Sequence, residues 1–253
     1  MRRMLVALLI GLALCVPTSA QQNRPNAVVE LLKQGRVVFG SMVQDRTEAG
    51  GARMAQDSNL DFVFYDMERN YDIAVLKGFM SGFRTGENKA LLVRIPPIGS
   101  EPDKAKARIA EILATGADGI VFPHIENKQQ AEWAVQWLDA SRRRLWPLRP
   151  TGEVVGYFMI EDRVAVEHAK EIVSTRGATM FAPGQGSLGQ AYNRDAQAVE
   201  GAIQTILSAC KASKVTCAKL ATDADIEQRI KEGFRVLMAS GDALTRGRKL
   251  AGR

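Results

Sequence analysis

Eight short β-rich runs recur along this chain, and stretches with helical spacing separate them. Several of the runs are continuously apolar, which is typical of strands buried on both faces, as in a parallel sheet. The predicted strands cover residues 36–42, 62–66, 90–95, 119–123, 154–161, 179–183, 215–220 and 235–240. This alternation restricts the chain to an α/β architecture.

Amphipathic stripes fill the intervals between the strands. Apolar residues recur on one helical face over residues 73–83, 109–113, 131–138, 164–173, 199–210 and 226–230. Asn127 is placed to begin one of these helices, and either Asp223 or Asp225 to begin the last. Gly116 and Gly233 are placed to end theirs.

Eight strands with intervening helices predict a TIM (β/α)8 barrel. The chain has 253 residues, a length at which such a barrel is commonly one domain. We expect a single barrel domain over residues 35–253, preceded by a lead-in over residues 21–34. No Gly-x-Gly-x-x-Gly follows the first strand, and no P-loop, zinc cluster or Gly-x-Ser-x-Gly motif is present. Rossmann-type dinucleotide binding is therefore excluded.

The charge balance bears on possible partners. The formal net charge is +6 at pH 7, but the lysines and arginines are spread along the chain. We therefore predict a basic solvated surface and no nucleic-acid partner. The positive charge is compatible with an anionic small-molecule substrate.

The first twenty residues have the pattern of a secretory signal peptide. Arg2 and Arg3 precede a thirteen-residue apolar stretch over 4–16, and small residues lead to a cleavage position after Ala20. We expect a periplasmic or secreted protein that has no membrane segment once residues 1–20 are removed. Cys210 and Cys217 would then be the remaining cysteines, either paired or as two separate buried thiols.

Chemically active side chains concentrate where the predicted strands end. The carboxyl ends of the strands of such a barrel meet on one rim, which is where its active sites lie. The candidates on this rim are Asp66, Glu68, Arg69, Arg94, His124, Glu126, Glu161, Asp162, Gln185 and Ser187. Acids, a guanidinium and a glycine-rich loop suit a carboxylate substrate together with a hard divalent cation such as Mg²⁺ or Mn²⁺.

Four segments in order carry a resemblance to a known family. They are DFVFYDME at 61–68, LVRIP at 92–96, GADGIVFP at 116–123 and MIE at 159–161. The chain resembles the HpcH/HpaI aldolase and citrate lyase family of metal-dependent class II pyruvate aldolases, from about Gly35 to Ala243. The resemblance implies a barrel of the phosphoenolpyruvate/pyruvate type, commonly a hexamer. It also implies cleavage or formation of a carbon–carbon bond beside the carbonyl of a 2-oxo acid, such as pyruvate or a 4-hydroxy-2-oxo acid.

The resemblance assigns roles to individual positions. Glu161 matches a metal ligand, and Arg94 matches the arginine that holds the keto acid. Asp66 matches the acid that orients the catalytic base. Gly184 and Gln185 match the loop that contacts the substrate and supplies the second metal ligand.

Two positions depart from the family pattern. Arg69 occupies the place of the basic histidine, and Gln185 that of an aspartate ligand. Arginine stays protonated and cannot act as a base at neutral pH, whereas an amide oxygen ligates a hard cation without charge. Two hypotheses follow. The chain is a divergent lyase, with His124 as a candidate substitute base, or it is a catalytically inactive carboxylate-binding or scaffold protein in which His124 is structural.

Overall fold

The computed structural model describes residues 25–86 and 88–253. The predicted signal peptide, residues 1–20, lies outside the described residues. Eight strands form the sheet: β1 (Val38–Met42), β2 (Phe62–Asp66), β3 (Ala90–Arg94), β4 (Gly119–Phe122), β5 (Val155–Ile160), β6 (Met180–Pro183), β7 (Thr216–Leu220) and β8 (Val236–Met238).

The strands are all parallel and close into a barrel in chain order from β1 to β8. Closure is made by the β1–β8 pair, where Gly40 lies opposite Met238. The TIM barrel prediction is confirmed, and each strand end lies within two residues of its predicted position. The continuous apolar runs predicted the strands correctly because inner side chains cover one face of each strand and the outer helices cover the other.

Helices surround the barrel. They are α1 (Ala27–Lys33), α2 (Glu48–Gln56), α3 (Ile73–Phe83), α4 (Pro102–Ala114), α5 (Lys128–Asp139), α6 (Arg163–Glu167), α7 (Ala169–Val173), α8 (Gln185–Ala191), α9 (Ala196–Ser213), α10 (Ile226–Glu232) and α11 (Asp242–Leu250). The Asn127 side chain caps α5 by accepting from the Gln130 N–H at 3.0 Å. Of the two aspartates considered, Asp225 is the N-cap of α10, and Gly233 ends this helix with φ of 102°.

Three segments differ from the sequence prediction. The lead-in contains α1, and the apolar stripe over 164–173 forms two short helices, α6 and α7, rather than one. The segment expected as a glycine-rich loop after β6 is helical from Gln185 onward, as α8. Among the described residues, no helix combines the length and apolar character that crossing a bilayer requires.

The core has two layers, one inside the barrel and one between the strands and the outer helices. Side chains from alternate positions of the strands fill the inside, including Phe62, Phe64, Leu92, Val121, Tyr157, Met180 and Ala218. Val28 and Val29 of α1 pack against this inner cluster. The side chain of Asn26 ties α1 to the start of two strands, donating to the carbonyl of Asp118 at 2.9 Å and of Glu153 at 2.8 Å. Helix α1 therefore closes the barrel at the amino ends of its strands.

Two buried aspartates stabilise the amino-end face of the barrel, which we call the base. Asp61 accepts from the Phe39 N–H at 2.9 Å and from the guanidinium of Arg253 at 2.5 and 2.7 Å. Asp118 accepts from the Leu91 N–H at 2.9 Å and from Arg143 at 2.8 Å. Each aspartate directly precedes a strand and bonds to the backbone of the strand before it.

Cys210 on α9 and Cys217 on β7 are both buried and both free thiols. Burial and a hydrogen bond with Cys210 raise the pKa of the Cys217 thiol. The two side chains are thus neighbours, although they are not joined.

Candidate active site

The opposite face, which we call the mouth, carries the side chains at the carboxyl ends of the strands. Asp66 ends β2 and lies opposite Arg94, which ends β3. The Arg94 Nε donates to Asp66 Oδ1 at 2.8 Å, and a terminal nitrogen donates to Oδ2 at 2.5 Å. Its other terminal nitrogen lies 3.0 Å from Glu68 Oε2. The guanidinium is therefore fixed by two acids of the neighbouring strand end.

These contacts keep the Asp66–Arg94 pair charged. Burial acts to raise the pKa of Asp66, but the hydrogen bonds and charge of Arg94 outweigh it, and the net pKa is lowered. For Arg94, burial acts to lower the pKa and the bonds with Asp66 raise it overall. A guanidinium has five N–H groups, and the hydrogen bonds to Asp66 use two of them. Arg94 is therefore a preorganised cation with further donors at the mouth.

His124 follows β4 and joins the two sides of the mouth. Its Nε2 lies 3.0 Å from Glu68 Oε1, and its Nδ1 lies 3.7 Å from Glu161 Oε2. The hydrogen bond with Glu68 raises the pKa of His124; burial opposes the shift and the charge of Glu161 supports it. The residue has φ of 50°, an uncommon conformation for a residue other than glycine. This backbone conformation accompanies a bond from the His124 N–H to Glu161 Oε2 at 2.9 Å.

Glu161 follows β5, and its side chain is almost fully buried. Besides the His124 N–H, it accepts a hydrogen bond from Ser187 Oγ at 2.9 Å. Gly184, the N-cap of α8, lies against the same carboxylate. The mouth therefore contains a continuous array that we call the rim array: Asp66, Arg94, Glu68, His124 and Glu161.

Gln185 has a different environment from the rim array. Its side-chain oxygen accepts a hydrogen bond from the Lys219 ammonium on β7. Lys219 is fully buried and also donates to the Leu220 carbonyl at 2.6 Å. Because Ala218 faces the barrel interior, Lys219 faces the outer layer. Burial, with a contribution from Arg229, lowers the pKa of Lys219 to about 8. The amide oxygen of Gln185 is thus held by this lysine.

The remaining candidates lie apart from the array. Arg69 is exposed and has no hydrogen bond or ion pair to another described residue. Asp162 caps α6 by accepting from the Ala165 N–H at 2.8 Å, and Glu126 bonds to Gln130. Sequence reasoning missed Arg46, which follows β1 and lies 5.5 Å over the ring of Tyr65. No motif marks it, since it is part of an ordinary connecting segment.

The donor atoms for a metal ion are few. In the described part of the chain, no three His, Cys, Asp or Glu side chains form a ready-made metal cluster. Mg²⁺ often takes only one or two carboxylates from a protein and completes its shell with water and substrate. The Glu161 carboxylate, together with the Ser187 hydroxyl, fits this sparse mode of ligation. Gln185 would join such a site only after leaving Lys219.

The family model described as HpcH/HpaI aldolase/citrate lyase matches residues 55–244, about three quarters of the chain. The chain belongs to the HpcH/HpaI aldolase/citrate lyase family. This membership places it among lyases and related enzymes and supports a lyase-type function. A comparison with curated proteins found no significant match.

Solved structures share the fold of this chain at low sequence identity. A family protein from Burkholderia cenocepacia J2315 has a TM-score of 0.74 at 19% identity, covering 88% of this chain and 96% of that one. The citrate synthase SbnG has a TM-score of 0.71 at 22% identity, covering 89% and 94%. The citrate lyase beta subunit of Mycobacterium tuberculosis, solved with oxaloacetate and magnesium, has a TM-score of 0.62 at 17% identity, covering 87% and 99%.

Proposed function

We propose that this protein is a metal-dependent carbon–carbon lyase of the aldolase type that acts on a 2-oxo acid, such as pyruvate or a 4-hydroxy-2-oxo acid. The observation that carries the proposal is the rim array. It places a fixed guanidinium, an imidazole and a buried carboxylate within one connected set of contacts. These are the groups needed to hold an anion, move a proton and bind a cation.

Arg94 binds the substrate in this proposal. Its guanidinium keeps N–H groups beyond the two that bond to Asp66, and such a group suits a carboxylate or an enolate oxygen. Asp66 and Glu68 hold the guanidinium in place before the ligand arrives, so little side-chain entropy is lost on binding.

Glu161 and Ser187 are the residues that would hold a divalent cation, Mg²⁺ or Mn²⁺. Lewis-acid stabilisation of the enolate is the chemistry that such a cation supplies. A second ligand from Gln185 belongs to the same proposal, and it requires that the amide leave the Lys219 ammonium.

His124 is the proposed base. In the cleavage direction, it takes the proton of the substrate's 4-hydroxyl group while the C3–C4 bond breaks. The electrons of that bond pass to the 2-oxo acid half as an enolate, and the other half leaves as an aldehyde. The His124 imidazolium then returns this proton to the enolate carbon, which gives pyruvate and restores the neutral imidazole. Glu68, bonded to Nε2, stabilises the imidazolium formed in the first step.

A second candidate function is a carboxylate-binding protein without catalysis. Arg69 favours it, because the permanently charged side chain stands where the resemblance expects a base. In both cases we propose a periplasmic or secreted location and a homo-oligomer, a hexamer by resemblance.

One experiment separates the two. Exchange of the pyruvate methyl protons with D₂O is followed by NMR, with Mg²⁺ or Mn²⁺ and then with a chelator. The lyase predicts metal-dependent exchange that His124→Gln abolishes, while Arg142→Met, an exposed change far from the mouth, retains it. Pyruvate binding without exchange supports the binding protein, and the absence of both rejects the two proposals together.

A further inference from the structure

Lys219 is a fully buried cation whose hydrogen bonds go to neutral oxygen atoms. Its ammonium donates to the side-chain oxygen of Gln185 and to the backbone carbonyl of Leu220. Within residues 25–86 and 88–253, no carboxylate forms an ion pair with it. A buried charge without a counter-ion depends on each of its hydrogen bonds. Loss of the Gln185 bond would leave the Leu220 carbonyl as the one remaining acceptor among these residues.

The acids around Lys219 are already bound to another cation. Three carboxylates lie near enough to act on Lys219 by charge, and each of them pairs with Arg229. These are Glu200 at 2.7 Å, Asp225 at 2.9 Å and Glu232 at 3.0 Å. None of the three can become a new partner for the lysine without loosening its ion pair with the guanidinium.

Gln185 lies in the turn that touches the Glu161 carboxylate. Gly184 packs on this carboxylate, and Ser187 donates to it at 2.9 Å. Gln185 lies between these two contacts, as the first residue of α8. Its side-chain oxygen is nevertheless bonded to Lys219 and not directed to the carboxylate.

Two uses of the Gln185 oxygen exclude each other. An ammonium can only donate, so the amide must turn its oxygen to Lys219. The same oxygen is the atom of this side chain that can ligate a hard cation. Sharing it would place two positive charges beside one atom, which electrostatic repulsion opposes. Gln185 can therefore serve Lys219 or a cation at the mouth, but not both.

We infer that Lys219 is a positioning residue that lowers the affinity of the mouth for a divalent cation by holding the Gln185 oxygen. The inference rests on the proposed function, since it presupposes a cation held by Glu161 and Ser187. Gln185 is available as a ligand only in the fraction of molecules in which its bond to Lys219 is open, and the apparent affinity falls with that fraction. Cation binding at the mouth is thus coupled to a charge in the outer layer of the barrel.

Calorimetric titration of the full-length protein with Mn²⁺ alone tests the inference. Lys219→Met keeps a similar side-chain length and removes the charge. We expect this variant to bind Mn²⁺ about tenfold more tightly than the wild type or better, the effect of one hydrogen bond to a charged group. Adding Gln185→Leu to Lys219→Met should remove the gain. The exposed Lys77→Met is the control and should bind as the wild type does.

Two outcomes of the titration overturn the inference. One is an unchanged affinity in Lys219→Met. The other is a gain that persists in the double variant, because such a gain comes from the lost charge and not from the released amide. A measurement on the wild type applies even if Lys219→Met does not fold. Saturating Mg²⁺ should shift the side-chain amide signal of Gln185 in ¹⁵N NMR, assigned with Gln185→Leu, and an unshifted signal contradicts the inference.

Glu161→Gln separates this inference from the proposed function. If the wild type binds Mn²⁺ and Glu161→Gln does not, the proposed cation site is supported, and an unchanged affinity in Lys219→Met then refutes the inference alone. If neither the wild type nor Lys219→Met binds Mn²⁺, or if Glu161→Gln binds it as well as the wild type, the proposed cation site fails together with the inference.

Discussion

Gly184 packs directly on the carboxylate of Glu161. A Cβ atom at this position would overlap Oε1, Cγ and Cδ of the glutamate. The φ of Gly184 is −81°, which any residue can adopt, so glycine is required here for space and not for backbone freedom. Helix α8 begins at the next residue and carries Ser187, the other contact of Glu161. The backbone of this turn therefore fixes where the buried carboxylate points.

A single methyl group at Gly184 should impair the site. We expect Gly184→Ala to displace Glu161 or the start of α8 and to weaken pyruvate binding at least tenfold, with the barrel still folded. Gly186→Ala is the matched control, because a Cβ there meets no atom within 4 Å. Calorimetry measures binding, and circular dichroism measures folding. Equal affinity in the two variants would show that the packing on Glu161 has no part in binding.

Arg94 should be irreplaceable by another cation. Its two hydrogen bonds to Asp66 and its ion pair with Glu68 use a planar group that the single ammonium of Arg94→Lys cannot reproduce. We expect both Arg94→Lys and Arg94→Met to lose 2-oxo acid binding by about tenfold or more, while Arg142→Met keeps it. Full binding by Arg94→Lys would mean that only charge matters at this position.

The pKa of His124 should depend on Glu68. Because the hydrogen bond with Glu68 raises this pKa, Glu68→Gln should lower it toward 6.5, the ordinary value. The chain contains only two histidines, so the NMR titration of the metal-free protein is readily assigned with His168→Gln. A raised pKa favours folding while His124 is protonated, and this contribution is lost as pH rises through the folded-state value. An unchanged His124 titration in Glu68→Gln would contradict the assigned contact.

Lys219 should make stability depend on pH in the alkaline range. Its folded-state pKa of about 8 lies below the ordinary 10.5, so the unfolded chain binds more protons between these values. The wild type should therefore gain stability relative to Lys219→Met as pH rises from 8 to 10, by about 2 kcal/mol. Urea unfolding at several pH values measures this difference. The exposed Lys77→Met serves as the control, and a difference that does not vary with pH would refute the prediction.

The strands were predictable because their surroundings are uniform. The first four residues of the strand FVFYD are all buried, and such a continuous run is easily recognised as a strand covered on both faces. The apolar stripe over 164–173 was wrongly predicted to form one helix, because the apolar spacing continues through His168. At His168 the backbone has φ of −93° and ψ of 10°, and α6 ends there. Helix α1 went unrecognised because its short sequence, AVVELLK, has too few turns to establish a period.

The site was predictable only in part. Asp66, Arg94, His124 and Glu161 follow from one geometric rule, that parallel strands in a closed barrel end on the same rim. The bond between Lys219 and Gln185 could not be foreseen, because it depends on which face of β7 the lysine occupies and on where α8 begins.

The stabilising acids and the reactive groups occupy opposite ends of the barrel. Asp61 and Asp118 hold the base through bonds to backbone and arginine, and helix α1 closes it. Arg69 and Gln185, where the sequence departs from the pattern implied by the resemblance, both lie at the other end. Substitutions at the mouth can therefore change the catalytic base or a metal ligand without disturbing the interactions that stabilise the opposite end. The same barrel can in this way support a different reaction.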